Sequence, residues 1–152
     1  MSEPRFRPLF TAEFETTPQP VGEVPQGYFR QSGIIQSGRF HGKRLNGIAQ
    51  PGGGDWWFRR PDGVIHLDVR AMLETDQGEI IYMTYTGRLR GPDDMIERMQ
   101  AGETIAPDEL YFRTAAQFET AAPQLVWLND VIAFGIGHRR PQGPVYELFE
   151  LL

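Results

Sequence analysis

The residues best suited to chemistry in this chain lie in the stretch GGGDWWFRRPDG, residues 52 to 63. Asp55 follows three glycines there and precedes two tryptophans. A carboxylate that is packed beside tryptophan and shielded from water has a raised pKa, which a general acid or base requires. In the alternative interpretation, Asp55 only caps a turn after the glycines. Asp55 is therefore the first candidate catalytic residue, held by a glycine-bulged corner at the rim of a pocket.

A second candidate pair lies in the run VIHLDVRAMLE, residues 64 to 74, where apolar and polar residues alternate. Alternate residues of a strand share a face. The polar face collects His66, Asp68, Arg70, Met72 and Glu74. Asp68 and Arg70 are near enough on such a strand to pair, which keeps the carboxylate charged and lets the guanidinium bind an anionic oxygen.

The direction of this polar face separates two interpretations. In the first, the apolar face (Ile65, Leu67, Val69, Ala71 and Leu73) packs in the core and the charged face lies in water. In the second, the charged face lines the lumen of a ligand-binding barrel, and another subunit or layer covers the apolar face. Only the second makes Asp68 a proton carrier and Arg70 the group that stabilises developing negative charge.

Aromatic and imidazole side chains near these acids are candidate ligand contacts. Trp56 and Tyr85 would form walls of the pocket. His66 shares the predicted polar face with Asp68, so the two could supply two metal ligands. No third ligand occurs at a suitable spacing, and no metal is expected.

A further ligand contact is predicted in the segment LVWLNDVIAFGIGHRR, residues 125 to 140, interpreted as a strand. Trp127 and Asn129 then share a face with Ala133, Gly135 and Gly137, whose small size leaves room inside a barrel. Asn129 beside that room is a candidate for binding the ligand. An asparagine that forms a turn, or is buried with its hydrogen bonds satisfied, explains the residue equally well.

Several kinds of chemistry have no support in the sequence. Cysteine is absent, which excludes disulfides, thiolate metal sites and cysteine nucleophiles. The three histidines form no His-x-His or His-x-x-x-His pair, and neither a phosphate-binding loop nor a Gly-x-Ser-x-Gly elbow occurs. We therefore expect no cofactor, and acid–base chemistry or ligand binding remains.

Composition limits the partners and the location. The chain has 152 residues and a formal net charge of −5, which argues against a surface for nucleic acid or anionic membrane. Its first ten residues lack an apolar signal core, and no run approaches the roughly 18 apolar residues of a membrane span. A cytoplasmic protein without nucleic-acid or membrane partners is expected.

Short alternating segments punctuated by 17 glycines and 12 prolines predict an all-β protein. Eight or more strands with hairpin connections, and glycine-marked bends inside strands, favour a closed or nearly closed antiparallel β-barrel over a sandwich. One short helix is predicted near residues 93–101, across a barrel end, with Asp93 at its start and Gly102 after its end. The whole chain, 1–152, is expected to form one domain.

Six motifs occur in a characteristic order: Asp55-Trp56 after the glycines, Asp62-Gly63, Asp68 with Arg70, Thr75 to Gly78, Tyr111 to Thr114, and Trp127 to Asn129. In this order they resemble the family known as domain of unknown function 3237, or uncharacterised protein family 0311. The resemblance covers most of the chain from about residue 28. Ala71 stands where members of that family often carry an aromatic residue.

The resemblance implies a compact β-barrel similar to those of allene oxide cyclase and the dirigent proteins. It also implies a homo-oligomer, a dimer or trimer, but no settled activity. Those barrels set a precedent for cofactor-free cyclisation or steered coupling in an apolar lumen, although a shared fold does not by itself imply a shared function.

Three functions follow from these features. The first is a cofactor-free isomerase, cyclase or lyase that acts on a small, partly apolar organic compound. The second is a non-catalytic protein that binds a small ligand in the same lumen. The third is a structural or oligomerisation module whose charged strand face is solvated.

Overall fold

The computed structural model describes residues 2–152, which form ten strands, one short α-helix and two 3-10 helices. The strands are β1 (Phe6–Val24), β2 (Tyr28–His41), β3 (Asn46–Ala49), β4 (Gly54–Asp55), β5 (Phe58–Arg59), β6 (Ile65–Thr75), β7 (Ile80–Arg90), β8 (Tyr111–Glu119), β9 (Ala133–Arg140) and β10 (Gly143–Leu151). The helix α1 is Met95–Gln100, and the 3-10 helices are Pro107–Glu109 and Pro123–Asp130.

The strands pair antiparallel in a ring. The pairing runs from β1 through β10, β9, β8, β7 and β6, then through the short strands β3, β4 and β5 to β2. Because β2 also pairs with β1, the hydrogen bonding returns to its start. The all-β fold and the closed or nearly closed barrel predicted from the sequence are therefore confirmed.

The hydrophobic core lies inside this ring. Phe10, Ala12 and Phe14 of β1 are buried on one face, as their alternation predicts. On β6 the apolar residues from Ile65 to Leu73 are buried at every second position, and the residues between them lie on the outer face. The structure therefore has the first of the two orientations considered for this strand, with the charged face outside.

Two glycine turns close the hairpins around β6. Gly63 follows Arg60-Pro61-Asp62 with a φ of +86°, and its N–H donates to the carbonyl of Arg60 at 2.9 Å. Gly78 has a φ of +79°, and its N–H donates to the carbonyl of Thr75 at 2.8 Å. A residue with a Cβ is strained at such angles, so these glycines set the turns that the sequence predicted.

The short helix α1 is confirmed, although it begins at Met95 and its N-cap is Asp94 rather than Asp93. The strand predicted over residues 125 to 140 is wrong in its first half. Residues Pro123–Asp130 form a 3-10 helix, and β9 begins only at Ala133. Proline favours the first turn of a helix, and apolar side chains such as Leu125 and Leu128 pack on the core from that helix as well as from a strand.

At one end the hairpin of β1 and β2 extends beyond β10, while β2 stays paired there with β4 and β5. Strand β10 pairs with β1 only from Phe6 to Glu13, whereas β2 pairs with β1 as far as Val24. Pro18 and Pro20 lie on the resulting free stretch of β1, where an edge tolerates a missing N–H. This overhang forms one side of the barrel mouth at which the candidate site lies.

Candidate functional site

A cavity of about 450 Å³ opens at the barrel end beneath the β1–β2 overhang. Its walls come from the inner faces of the barrel strands, from Ile96 and Met99 of α1, and from the turn between β9 and β10. Most of the wall is apolar or aromatic, including Trp57, Leu67 and Phe112. Concave, largely apolar sites of about 300–1,000 Å³ are typical of small-molecule binding.

A second depression of about 460 Å³ lies between the turn around Asp62 and the segment leading into α1. Charged and exposed residues such as Arg60, Asp62 and Asp93 border it. Among residues 2–152, no buried ionisable group lines this depression, so the cavity inside the barrel is the candidate functional site.

Asp55 enters this cavity from β4, a strand of two residues between β2 and β6. The preceding glycines permit that position. A Cβ on Gly53 would lie 2.4 Å from the carbonyl oxygen of Arg70, and a Cβ on Gly54 would lie 2.9 Å from that of Gly33. Since no other residue lacks a Cβ, Gly53 and Gly54 allow the backbone to approach both neighbouring strands closely.

Alternation after Asp55 decides which tryptophan reaches the cavity. Asp55, Trp57 and Arg59 line it, whereas the intervening Trp56 does not. Trp56 is 37% exposed and lies near the guanidinium of Arg70 on the outer face, with 5.9 Å from Arg70 Cζ to the ring centre. Of the two tryptophans, Trp57 is therefore the one in the wall, in place of the predicted Trp56.

The electrostatic state of Asp55 follows from its enclosure. Its Oδ1 accepts a hydrogen bond from the Asp68 N–H at 2.9 Å, and no side chain of residues 2–152 donates to it. Burial raises the pKa of Asp55 to about 7, against the lowering effects of the Asp68 N–H and the more distant charge of Arg139. A carboxyl group with this pKa can both give and accept a proton near neutral pH.

Two further polar side chains lie beside Asp55 in the cavity. Arg139 is the last inward-facing residue of β9, and Tyr146 lies on the inner face of β10. Burial lowers the pKa of Arg139, while the charge of Asp55 acts in the opposite direction. Burial raises the pKa of Tyr146 above its ordinary value, with a further contribution from Asp55, so its hydroxyl keeps its proton.

Tyr85, a predicted ligand contact, is buried behind this group and does not line the cavity. Its ring packs edge-on against Tyr146, with 5.0 Å between the ring centres. Burial raises the pKa of Tyr85 well above its ordinary value, and a hydrogen bond to Tyr146 adds to this effect. Tyr85 therefore supports Tyr146 from the core.

Asp68 and Arg70 pair with each other as predicted, but on the outside of the barrel. Arg70 donates to Asp68 Oδ1 at 3.2 Å, and both side chains are about half exposed, 51% and 52%. Neither lines the cavity. The prediction that they act inside the lumen fails because β6 turns its apolar residues inward, where burial of carbon is favourable and burial of an ion pair is costly.

His66 also lies on the outer face of β6. Its ring packs on Phe58 with 4.7 Å between the centres, and Arg60 lies 3.2 Å from its Nε2. Burial, Arg88 and Arg60 lower its pKa. His66 is thus part of an outer aromatic and arginine cluster and does not reach the cavity.

Asn129 and Trp127 lie in the 3-10 helix and do not line the cavity. Asn129 Oδ1 accepts from the Thr120 N–H at 3.0 Å, and its Nδ2 donates to the carbonyls of Thr120 and Val126, both at 3.0 Å. The Trp127 ring packs under Arg44, with 4.4 Å from Cζ to the ring centre. Of the interpretations considered for Asn129, the structure therefore has the one in which its side-chain hydrogen bonds are satisfied locally, without a ligand.

Sequence reasoning missed Arg139, Tyr146 and Trp57. A signal for Arg139 was present, because Gly135 and Gly137 were placed on an inward face and one more step of two reaches residue 139. The glycines leave less open room than expected. A Cβ on Gly137 would lie 2.5 Å from the ring of Phe112, so that ring occupies the space.

Within residues 2–152, no three histidine or carboxylate side chains converge in a group that could hold a metal ion. In the same residues no helix is both long enough and apolar enough to cross a bilayer.

Known proteins similar to this chain share both its sequence and its fold. A UPF0311 protein of Clostridium acetobutylicum is 34% identical over 122 residues, which are 80% of this chain and 77% of that protein. The crystal structure of a conserved protein of unknown function from Rhodopseudomonas palustris has a TM-score of 0.90 at 26% identity, and covers 100% of this chain and 99% of that one. The crystal structure of an enzyme from Penicillium herquei has a TM-score of 0.71 at 21% identity, and covers 100% and 97%.

The family match extends over nearly the whole chain. Residues 4–151 match the family described as "Protein of unknown function (DUF3237)". The resemblance seen in the ordered motifs is thereby confirmed. This chain belongs to the DUF3237 family, and its relative in Clostridium acetobutylicum carries the name UPF0311 protein.

Proposed function

We propose that this barrel binds a small, partly apolar organic compound and carries out cofactor-free acid–base chemistry on it: an isomerisation, a cyclisation or an elimination. The observation that carries the proposal is Asp55. It is a carboxyl group in an otherwise largely apolar cavity, without a side-chain hydrogen-bond partner in residues 2–152 and with a pKa of about 7. A perturbed ionisable group inside a cavity is typical of a catalytic site.

Asp55 would act as the proton carrier. As the carboxylate it takes a proton from a carbon or hydroxyl of the bound compound, and as the acid it returns a proton to another atom of the same compound. Such a sequence leaves Asp55 unchanged and needs no oxidant, reductant or second substrate. Tyr146 keeps its proton because of its raised pKa, so it can donate a hydrogen bond to an oxygen on which negative charge develops.

The surrounding wall would hold the compound in position. Trp57, Leu67 and Phe112 offer flat or apolar surface to the body of the compound. A compound that fills the cavity would displace water from it, which strengthens each electrostatic interaction inside. The Penicillium herquei protein of the same fold is described as an enzyme, which supports catalysis in such a barrel without indicating the reaction.

We also propose that the chain is a cytoplasmic homo-oligomer. Exposed apolar side chains on the surface, such as Ile48, Val126 and Ile132, supply candidate contact area between subunits. The absence of cysteine from all 152 residues fits a reducing compartment. Native mass spectrometry counts the subunits directly, and a purely monomeric spectrum contradicts the oligomer.

The test of catalysis begins with a ligand. Native mass spectrometry of the protein mixed with a metabolite extract identifies the compound that is retained, and that compound is then assayed for conversion. We expect Asp55→Asn to bind it with affinity within about 3-fold of wild type and to lose about 10²–10⁴-fold in turnover. Asp76→Asn, which changes an exposed acid in the turn after β6, is the matched control and is expected to keep turnover within about 3-fold.

Two results would contradict the proposal. If Asp55→Asn turns over the retained compound at the wild-type rate, Asp55 is not the proton carrier. If the wild-type protein binds the compound and leaves it unchanged over hours, with no conversion of its structural analogues, the barrel is a binding protein.

A further inference from the structure

Arg139 is a partly buried cation on the inner face of the barrel, with its Nε fully buried. Strand β9 places Ala133, Gly135 and Gly137 inward, and Arg139 continues the same face at the cavity. Its neighbour Arg140 faces the other way, where it lies 3.8 Å from the carboxylate of Glu13. Because successive side chains of a strand point to opposite faces, the two adjacent arginines lie in different environments.

The guanidinium of Arg139 has no partner that satisfies it within residues 2–152. No carboxylate lies within 4.0 Å of it there, and its buried Nε donates no hydrogen bond. Arginine carries its charge at any ordinary pH, and a buried charge without hydrogen bonds is costly. Such an arginine is therefore suited to a partner that arrives from outside the chain.

The one acid in the cavity wall does not supply that partner. Among the described residues that line the cavity, Asp55 is the only carboxylate, and its raised pKa leaves it largely protonated below about pH 7. The second lining cation, Arg59, already lies 3.5 Å from Glu23 and packs over Phe29. Arg139 thus remains the cation that is available inside the cavity.

We propose that the compound bound in this cavity is an organic acid, with an ionised carboxylate or phenolate held by Arg139 and an apolar or aromatic body against Trp57, Leu67 and Phe112. This inference rests on the proposed function, in that it names the substrate class of the same cavity. A planar guanidinium presents paired donors that match the two oxygens of a carboxylate. Arg139 is thus the residue that determines specificity, and Asp55 the one that moves the proton.

The inference is tested with two probes of equal shape, 2-naphthoate and its neutral amide, 2-naphthamide. Isothermal titration calorimetry at pH 6 is expected to show that wild type binds the carboxylate about 10–100-fold more tightly than the amide. In Arg139→Leu the preference is expected to fall below about 3-fold. Arg140→Gln, which changes the next residue on the outer face, is the matched control and keeps the wild-type preference.

A second variant separates loss of the cation from loss of the fold. Arg139→Lys keeps a positive charge without the paired donors, so we expect a preference between those of wild type and Arg139→Leu. Circular dichroism verifies that each variant is folded. The inference is overturned if wild type binds both probes equally, if 2-naphthoate fails to bind at millimolar concentration, or if folded Arg139→Leu keeps the full preference.

The pH dependence gives an independent readout. The ionisable groups that line the cavity are Asp55, Arg59, Arg139 and Tyr146, and among them Asp55 is the one that titrates near neutral pH. Ionised Asp55 repels an anion and competes for Arg139, so the wild-type preference for 2-naphthoate is expected to fall several-fold between pH 6 and pH 8. In Asp55→Asn the preference stays constant, and a wild-type profile that is flat over this range counts against the inference.

The outcomes of these binding measurements can be distinguished from the outcome of the test of catalysis. Loss of the carboxylate preference, with turnover still dependent on Asp55, removes the organic acid and leaves the acid–base proposal. An intact preference with turnover that does not depend on Asp55 removes the acid–base proposal and leaves an arginine site for organic acids.

Discussion

Each end of the barrel holds a carboxylate near an arginine, and the two carboxylates differ in their hydrogen bonding and in the direction of their pKa shifts. At the closed end, Glu150 is 8% exposed and accepts hydrogen bonds from Arg7 Nε at 2.8 Å and from Arg44 at 2.5 Å. These bonds, that from Arg7 foremost, lower the pKa of Glu150. At the open end, Asp55 has no side-chain donor among the described residues, and burial raises its pKa to about 7.

The packing around the two carboxylates also differs, since one end is filled by side chains and the other holds a cavity. Phe10, Phe40 and Phe118 fill the closed end, with ring centres 5.2 and 6.0 Å apart around Phe10. The open end keeps a cavity of about 450 Å³ and Arg139, which has no carboxylate of residues 2–152 within 4.0 Å. A charge that serves stability has its hydrogen bonds satisfied inside the fold, whereas the open end keeps an acid and a cation available to a ligand.

The largest expected effect concerns the cost of ionising Asp55. The folded protein keeps the Asp55 proton up to about pH 7, whereas an unfolded chain loses it near about pH 4. Between these values the folded state binds more protons, so stability falls as pH rises, by on the order of 4 kcal/mol at most. Asp55→Asn removes this cost. Urea unfolding is expected to show Asp55→Asn gaining stability relative to wild type at pH 8 compared with pH 4.5.

Comparing the same two proteins at both pH values cancels the titration of all other groups. An equal difference in unfolding free energy at pH 4.5 and pH 8 would mean that Asp55 ionises normally. The two ends of the barrel would then not differ in the way proposed for the pKa values of their carboxylates.

The next effect tests the packing contrast within one strand. Leu67 and Leu73 share the inner face of β6, with exposures of 4% and 0%, but only Leu67 borders the cavity. Leu73→Ala leaves a new hole in a filled region and is expected to cost about 3–4 kcal/mol. Leu67→Ala enlarges a space that already exists and is expected to cost about 2 kcal/mol, because the removed methyl groups have fewer neighbours. Urea unfolding at one pH measures both, and equal losses would contradict a filled closed end.

The smallest effect concerns the satisfied carboxylate. Glu150→Gln weakens the charged hydrogen bonds from Arg7 and Arg44 and is expected to cost about 1–2 kcal/mol, since both arginines are partly exposed. Glu147→Gln on the exposed face of the same strand weakens a contact to His138 at 2.8 Å and is expected to cost less than about 0.5 kcal/mol. Thermal unfolding at pH 7 compares the two, and equal small losses would show that Glu150 contributes no more than a surface pair.

The strands and turns of the barrel were predictable wherever a local sequence pattern is compatible with only one type of secondary structure. The alternation around Phe10, Ala12 and Phe14 and the turns at Gly63 and Gly78 behave as short-range rules require. The segment from Pro123 to Asp130 was not predictable in this way, because its apolar residues pack on the core equally well from a strand or a 3-10 helix. Asn129 shows the local cause, since its side chain bonds the backbone of Thr120 and Val126.

The candidate site was predictable only in part. Asp55 was singled out from its glycines and tryptophans, and it does lie in the cavity wall. Asp68 and Arg70 were predicted site residues because a carboxylate and a guanidinium two positions apart on a strand can pair. That spacing fits an exposed ion pair equally well. Arg139 and Tyr146 lie 84 and 91 positions beyond Asp55 in the chain, and no local pattern links them to it.

By itself, the sequence determined the alternating faces of the strands, the glycine turns, the family and the position of one acid after three glycines. These depend on backbone geometry and on neighbours within a few residues. Closure of the sheet decided which face became the inside, which tryptophan lines the cavity and which arginine lies beside Asp55. Those choices depend on burial, because an ionisable group acquires an unusual pKa or an unmet hydrogen bond only when distant strands exclude water from it.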